Sequence, residues 1–154
     1  MRRLDRTDRE IVRLLQDDAR RSNKELAAAI GIAPSTCSER VKRLEAEGVL
    51  LGSHATVDPR ALGIGLRAMV AIRLSRHAAS EVDRFRDHAL AMPEVIGWSH
   101  VTGANDFLVH VVVRDAEHLR QLAVTGFTSM PEVAHIETAL VFEHVGKPAL
   151  PDLL

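Results

Sequence analysis

The chain has 154 residues, of which 46% are hydrophobic and 27% charged, and its formal net charge at pH 7 is −1. This apolar share is too high for a disordered chain, and the length suits one ordinary domain or two small ones. The single cysteine, Cys37, excludes an internal disulfide and a multi-thiolate metal site, and no apolar run approaches the ~20 residues of a membrane span. We therefore expect a soluble, cytoplasmic protein with no membrane partner.

Helical periodicity dominates the first 50 residues. An apolar stripe predicts a first helix over residues 5–17 and consists of Leu4, Ile11, Leu14 and Leu15. The run from Ser22 to Glu25 has the form of a capping box, so a second helix begins there. Pro34 suits the first position of a third helix, which Gly48 ends. Because Gly31 allows a tight turn between the last two helices, the pattern predicts a helix-turn-helix.

The third helix has two different faces. At about 100° per residue, Cys37 and Leu44 share a side with Val41, which predicts a face toward the core. The candidate DNA contacts on the helix are hydroxyl and charged residues: Ser35, Thr36, Ser38, Glu39, Lys42 and Arg43. Such a surface suits a major groove, where hydroxyls approach base edges and cations pair with phosphates or guanine. A solvated helix face is the alternative, but the capped helix and turn that precede it favour DNA binding.

The segment after the third helix predicts a wing. Residues 49–57 have the composition of two short strands with Gly52 and Ser53 at the turn. His54, near the tip, is a candidate contact to the DNA backbone, and an exposed loop histidine is the alternative. Residues 58–65 contain one proline and two glycines and form a predicted linker. The first domain is therefore predicted to span residues 1–57.

The second domain, residues 66–154, is predicted to be a ferredoxin-like sandwich. Strands are predicted at 66–75, 94–102, 106–114 and 133–145, with helices at 80–92 and 116–125. The order βαββαβ predicts a four-stranded antiparallel sheet with both helices on one face, so the whole chain is α+β. We expect Val109, Val111 and Val113 on the uncovered face, which would be buried by self-association.

Several separated motifs follow one another along the chain: Leu4–Leu15, Ser22–Ile30, Cys37–Val49, Asp58-Pro59, Leu62-Gly63, Val101–Phe107 and Glu137–Glu143. In this order they resemble the Lrp/AsnC family of leucine-responsive, or feast/famine, transcriptional regulators. The resemblance implies a winged helix-turn-helix that binds double-stranded DNA, followed by a RAM domain. It also implies homodimers formed through the sheets, often assembled to octamers, and an amino acid or related effector bound between dimers.

The resemblance also places the effector site. The matching positions are His100, Thr102, Gly103, Ala104, Asn105 and Asp106 on the hairpin, and Ala139, Leu140 and Val141 on the last strand. Backbone N–H groups near Gly103 suit a carboxylate, and Asp106 suits an ammonium. The alternative is that Asn105 and Asp106 only satisfy the turn. The sequence departs from the family at Ala104, where an acidic residue is common, and at Ala33, where serine is common.

Two other functions share some of these features. Sirohaem decarboxylases have the same two-domain build and use histidines, and His100 and His110 lie on adjacent predicted strands. A metal-responsive regulator would use some of the eight histidines as ligands. The histidines lack the spacing of a metal site, and no nucleophile or phosphate-loop motif is present. We therefore expect a regulator without catalytic activity, cofactor or metal.

Overall fold

The computed structural model describes residues 3–76, 78–147 and 149–153. The chain divides into two compact units, Met1–Thr56 with Val145–Leu154, and Val57–His144. The sequence prediction counted the last ten residues with the second domain, whereas the structure groups them with the first. Across the described residues, no helix is long and apolar enough to cross a membrane.

The first unit contains three helices, α1 (Arg6–Asp17), α2 (Asn23–Ile30) and α3 (Pro34–Ala46). Their apolar sides meet in one core formed by Ile11, Leu14, Leu26, Ala27, Cys37 and Leu44. The capping box is confirmed, since the Ser22 hydroxyl accepts the Glu25 N–H at 3.3 Å and the Glu25 carboxylate accepts the Ser22 N–H at 2.7 Å. Gly31 ends α2 with φ 78°, a conformation that favours glycine.

The C-terminal tail lies against α1. The Leu150 N–H donates to Gln16 Oε1 at 2.6 Å, and Arg9 lies 3.8 Å from the Asp152 carboxylate. These two contacts explain why the tail belongs to the first unit.

The predicted two-stranded wing is absent from residues 49–57, all of which the structure describes. Leu51 and Val57 are exposed there, so these two side chains do not anchor a hairpin to the core of the first unit. Because isolated two-stranded hairpins are marginal in water, this segment remains a loop. A short 3₁₀ helix, Pro59–Leu62, follows within the predicted linker.

The second unit has the predicted βαββαβ order. The strands are β1 (Leu66–Leu74), β2 (Val95–His100), β3 (Phe107–Val113) and β4 (Val133–Leu140), and the helices are α4 (Ala79–Ala91) and α5 (Ala116–Leu122). The antiparallel sheet has the strand order β2-β3-β1-β4. Residues 123–128 extend α5 as a wider π-type turn, and β4 ends five residues before the predicted strand does.

The assignment of β3 side chains to the two faces of the sheet is the reverse of the predicted one. Val109, Val111 and Val113 are buried in the core with helix residues such as Phe85 and Leu119. The residues between them point away from the helices because side chains alternate along a strand. The face that the helices leave uncovered, called here the open face, carries Arg67, Met69, Ala71, Arg73, Leu108, His110 and Val112.

Candidate nucleic-acid interface and effector site

The outer surface of α3 keeps most of its predicted features. Ser35, Thr36, Glu39 and Lys42 are exposed, and Ser38 is half-buried. Cys37 and Leu44 are buried on the opposite side, as the helical periodicity predicts. Ala33 provides no side-chain cap, which leaves the N–H groups of the first turn of α3 without that partner. His54 is exposed in the loop that follows the helix.

Arg43 differs from the other exposed residues because its guanidinium binds Asp8 of α1. Its Nη2 donates to both Asp8 carboxylate oxygens, at 3.0 and 3.3 Å. Asp8 is fully buried at the start of α1 and also accepts from Arg40 Nη1 at 2.7 Å. Arg43 is exposed on α3 as predicted, and its guanidinium in addition holds α3 against α1.

Asp5 completes this cluster at the N-terminus of α1. One carboxylate oxygen caps the helix by accepting the Asp8 N–H at 2.8 Å, and the other accepts from Arg40 at 2.7 Å. The Arg40 guanidinium, and to a lesser degree the Asp8 N–H, hold the pKa of Asp5 below its ordinary value. The cluster of Asp5, Asp8, Arg40 and Arg43, called here the α1–α3 charge cluster, fixes the orientation of α3.

The predicted effector loop joins β2 and β3. Thr102, Gly103 and Ala104 are exposed, whereas Asn105 and Asp106 are half-buried. Gly103 has φ 122°, which favours glycine and presents backbone at the loop surface.

Asp106 is tied to β1 by backbone and side chain. Its N–H donates to Ile72 O at 2.8 Å, and its Oδ2 accepts the Leu74 N–H at 2.8 Å. Asp106 therefore has a structural role at the end of β1, in line with the alternative that its carboxylate satisfies backbone groups.

His100 packs beside the aromatic core. Its ring centroid lies 4.8 Å from that of Phe107 and 6.2 Å from that of Trp98. Since His100 pairs with Phe107, it points to the core side, whereas His110 lies on the open face. The two histidines are thus not brought together as a catalytic pair. No group of three potential metal ligands occurs in the part of the chain that the structure describes.

The two halves of the predicted effector site lie apart within one chain. The loop is bonded to Ile72 and Leu74, near the end of β1. Ala139 and Leu140 pair with Met69 and Ala68, and the Val141 N–H donates to Arg67 O at 2.9 Å. At about 3.3 Å per residue, the halves are separated by roughly 10–20 Å along the strand.

Comparison with known proteins identifies the family of both units. The Lrp/AsnC ligand binding domain model matches residues 67–149, and a winged helix-turn-helix DNA-binding model matches residues 4–50. The chain belongs to the Lrp/AsnC family. It is 42% identical over 144 residues to the HTH-type transcriptional regulator AldR of Mycolicibacterium smegmatis, covering 94% of this chain and 84% of that protein.

Other relatives agree with this assignment. The DNA-binding transcriptional activator DecR of Escherichia coli K12 is 33% identical, with 92% of this chain and 93% of that protein covered. The crystal structure of a Neisseria meningitidis regulator in complex with L-Met superposes with a TM-score of 0.85 at 27% identity, covering 97% of each chain. The protein is therefore a DNA-binding transcriptional regulator of the Lrp/AsnC type with a ligand-binding domain.

Proposed function

We propose that this regulator reads its operator with α3 and responds to an amino acid bound at loop 102–106. The observation that carries the DNA part is the exposed hydroxyl and charged surface of α3, held in place by the α1–α3 charge cluster. In this arrangement Ser35 and Thr36 approach base edges or phosphates, and Lys42 pairs with a phosphate. Ser38, Glu39 and His54 flank these contacts, while Arg43 is shared between DNA and Asp8.

Lys42→Ala tests α3 as the reading helix. Lys42 is exposed and lies outside the charge cluster, so its loss removes a DNA contact without weakening the fold. We expect weaker binding to a duplex selected from randomised sequence by the wild-type protein. The slope of log K against log salt should fall by about 1, the value of one phosphate contact. Fluorescence anisotropy over a salt series measures both.

Arg120→Ala is the matched control for Lys42→Ala. Arg120 is an exposed cation of α5 in the other unit, paired with Glu117, so its loss should leave affinity and salt slope unchanged. An unchanged slope in Lys42→Ala, or an equal change in both variants, would show that α3 does not face DNA as proposed.

The proposed effector is an amino acid. The exposed backbone around Gly103 supplies N–H groups for a carboxylate, and Asp106 lies beside them to pair with an ammonium. The complex of the Neisseria relative with L-Met supports this ligand class. His100, Thr102, Ala104 and Asn105 border the same loop. Ala139, Leu140 and Val141 join the site from a neighbouring subunit.

We further propose that the protein forms a homodimer through the open face and that dimers assemble to an octamer. Met69, Ala71, Leu108 and Val112 form an apolar centre on this face, and self-association would remove it from water. A dimer also presents two copies of α3 to a two-fold operator. As a regulator without catalytic function, the protein acts in the cytoplasm, where it meets DNA.

Leu108→Glu tests the dimer. Leu108 is half-buried at the centre of the open face, so a carboxylate there would have to be desolvated twice in a two-fold interface. We expect sedimentation velocity at micromolar concentration to change from the wild-type assembly to a monomer. Leu90→Glu is the control, since Leu90 is exposed on α4 and away from the sheet. Retention of the wild-type assembly by Leu108→Glu would contradict dimerisation through this face.

A further inference from the structure

Glu39 lies at the middle of the outer face of α3. Ser35 comes four residues before it, Lys42 three residues after it and Arg43 four residues after it. At about 100° per residue, all three side chains leave the helix within about 60° of Glu39. Glu39 is itself exposed. The proposed DNA-reading surface, otherwise made of hydroxyls and cations, therefore has a carboxylate at its centre.

The Glu39 carboxylate forms no ion pair or hydrogen bond in the part of the chain that the structure describes. A glutamate on a helix can pair with a cation four residues later, which here is Arg43. The Arg43 guanidinium instead donates to Asp8 at 3.0 and 3.3 Å, and Arg40 donates to Asp8 at 2.7 Å. The α1–α3 charge cluster therefore takes up both neighbouring guanidiniums and leaves the Glu39 carboxylate available to DNA.

A carboxylate at this position meets few groups on DNA that can bind it. The phosphates repel it, because both are negatively charged. In the major groove, guanine and thymine present acceptors or a methyl group, which give a carboxylate no hydrogen bond. The donors there are the amino groups of cytosine and adenine, and adenine places its N7 acceptor beside the amino group. Cytosine is therefore the base whose major-groove edge suits a carboxylate best.

We propose that Glu39 selects a cytosine in each half-site of the operator, with its carboxylate accepting a hydrogen bond from the cytosine N4 amino group. This inference rests on the proposed reading of the operator by α3. Lys42, about one turn further along the helix, pairs with a phosphate and so keeps the Glu39 carboxylate at the base edge. Because Arg43 donates to Asp8, the charge of Glu39 remains available for the cytosine amino group.

Glu39→Gln should change the selected base, since a glutamine side chain binds N6 and N7 of adenine together. Duplexes are selected from randomised sequence by the full-length wild type and by the full-length variant, and are then sequenced. We expect one position in each half-site to be cytosine for the wild type and adenine for Glu39→Gln, with the other positions unchanged. In fluorescence anisotropy with duplexes that differ at this one base pair, the wild type should prefer cytosine about tenfold or more, and the variant should lose this preference.

Glu45→Gln is the matched control, because it removes the same charge from the same helix. Glu45 is exposed near the C-terminal end of α3 and lies about 120° around the helix from Glu39. This variant should select the same bases as the wild type. An equal change of base preference in Glu45→Gln and Glu39→Gln would overturn the proposal, because the change would then follow from net charge.

The measurements separate a failure of this inference from a failure of the proposed function. If neither Lys42→Ala nor Glu39→Gln alters DNA binding, α3 does not read the operator and both proposals are overturned. If Lys42→Ala lowers the salt slope but Glu39→Gln selects the same bases as the wild type, the cytosine inference alone is overturned. It is also overturned if Glu39→Gln binds every duplex more tightly by the same factor, because the carboxylate would then only repel the phosphates.

Discussion

Replacing Arg40 and Arg43 together by alanine should destabilise the first unit by about 3–5 kcal/mol, since a buried carboxylate would lose two guanidinium partners. Asp8 has no exposed surface and accepts from the two guanidiniums at 2.7 to 3.3 Å. Far-UV circular dichroism during urea unfolding measures the effect through the helices. Trp98 belongs to the second unit, so its fluorescence reports that unit separately.

We expect the dichroism transition of the double variant to occur at a lower urea concentration than in the wild type, and the fluorescence transition to occur at the same urea concentration. Arg13→Ala is the control, because Arg13 makes an exposed pair with Glu10 on the same helix α1 and its loss should have little effect. Equal stability of the double variant and Arg13→Ala would mean that the charge cluster does not hold α1 and α3 together. The double variant is unsuitable for testing DNA contacts, which is why Lys42 alone is changed for that purpose.

The same unit should lose stability in acid. Arg40 holds the pKa of Asp5 below its ordinary 3.8, and the Ser22 N–H holds that of Glu25 below 4.5. A pKa lowered by folding stabilises the folded state above the unfolded value, and this contribution disappears as pH falls through the folded value. Urea midpoints measured by dichroism should therefore fall below about pH 4. In Arg40→Ala, the part of the pH dependence of the urea midpoint that is due to Asp5 should diminish. The same pH dependence in this variant as in the wild type would contradict the claim that Arg40 lowers the pKa of Asp5.

Local signals in the sequence were sufficient to place the helices of the first unit. The Ser22–Glu25 capping box, Gly31 at the turn and Pro34 at the start of α3 each act within a few residues, and each is found where the pattern places it. Of the wing, only the two strands expected at residues 49–57 were wrong, because a hairpin depends on tertiary contacts that composition does not reveal. The charge cluster was missed because Asp8 and Arg40 are 32 residues apart.

The second unit shows that the alternation of side chains along a strand does not by itself decide which face of the strand is buried. The order of its strands and helices followed from periodicity, and the structure confirms it. The face of β3 was assigned wrongly because Leu108 and Val112 are as apolar as Val109 and Val111, so on this strand only His110 distinguishes the open face from the core. The contact between His144 and His110 was also not foreseen, since His144 reaches His110 only because the chain leaves β4 at Leu140.

Asp106→Asn is expected to weaken amino-acid binding roughly 10- to 150-fold, the loss of a charge-assisted hydrogen bond worth about 1.5–3 kcal/mol. Asparagine is preferable to alanine because its amide oxygen can still accept the Leu74 N–H, so the end of β1 keeps its anchor. A thermal-shift screen of the amino acids finds the ligand, because a molecule that binds the native state raises its apparent stability. Titration calorimetry of wild type and variant then gives the ratio of affinities.

Glu137→Gln serves as the control for Asp106→Asn, because it removes a carboxylate from β4 that lies outside the loop. Its affinity for the amino acid should equal that of the wild type, and DNA binding without ligand should survive in both variants. If a folded Asp106→Asn protein binds the amino acid with unchanged affinity, the Asp106 carboxylate serves only to accept the Leu74 N–H at the end of β1. If no amino acid raises the stability of the wild type, the response at this loop belongs to another ligand class, consistent with Ala104 in place of the acidic residue.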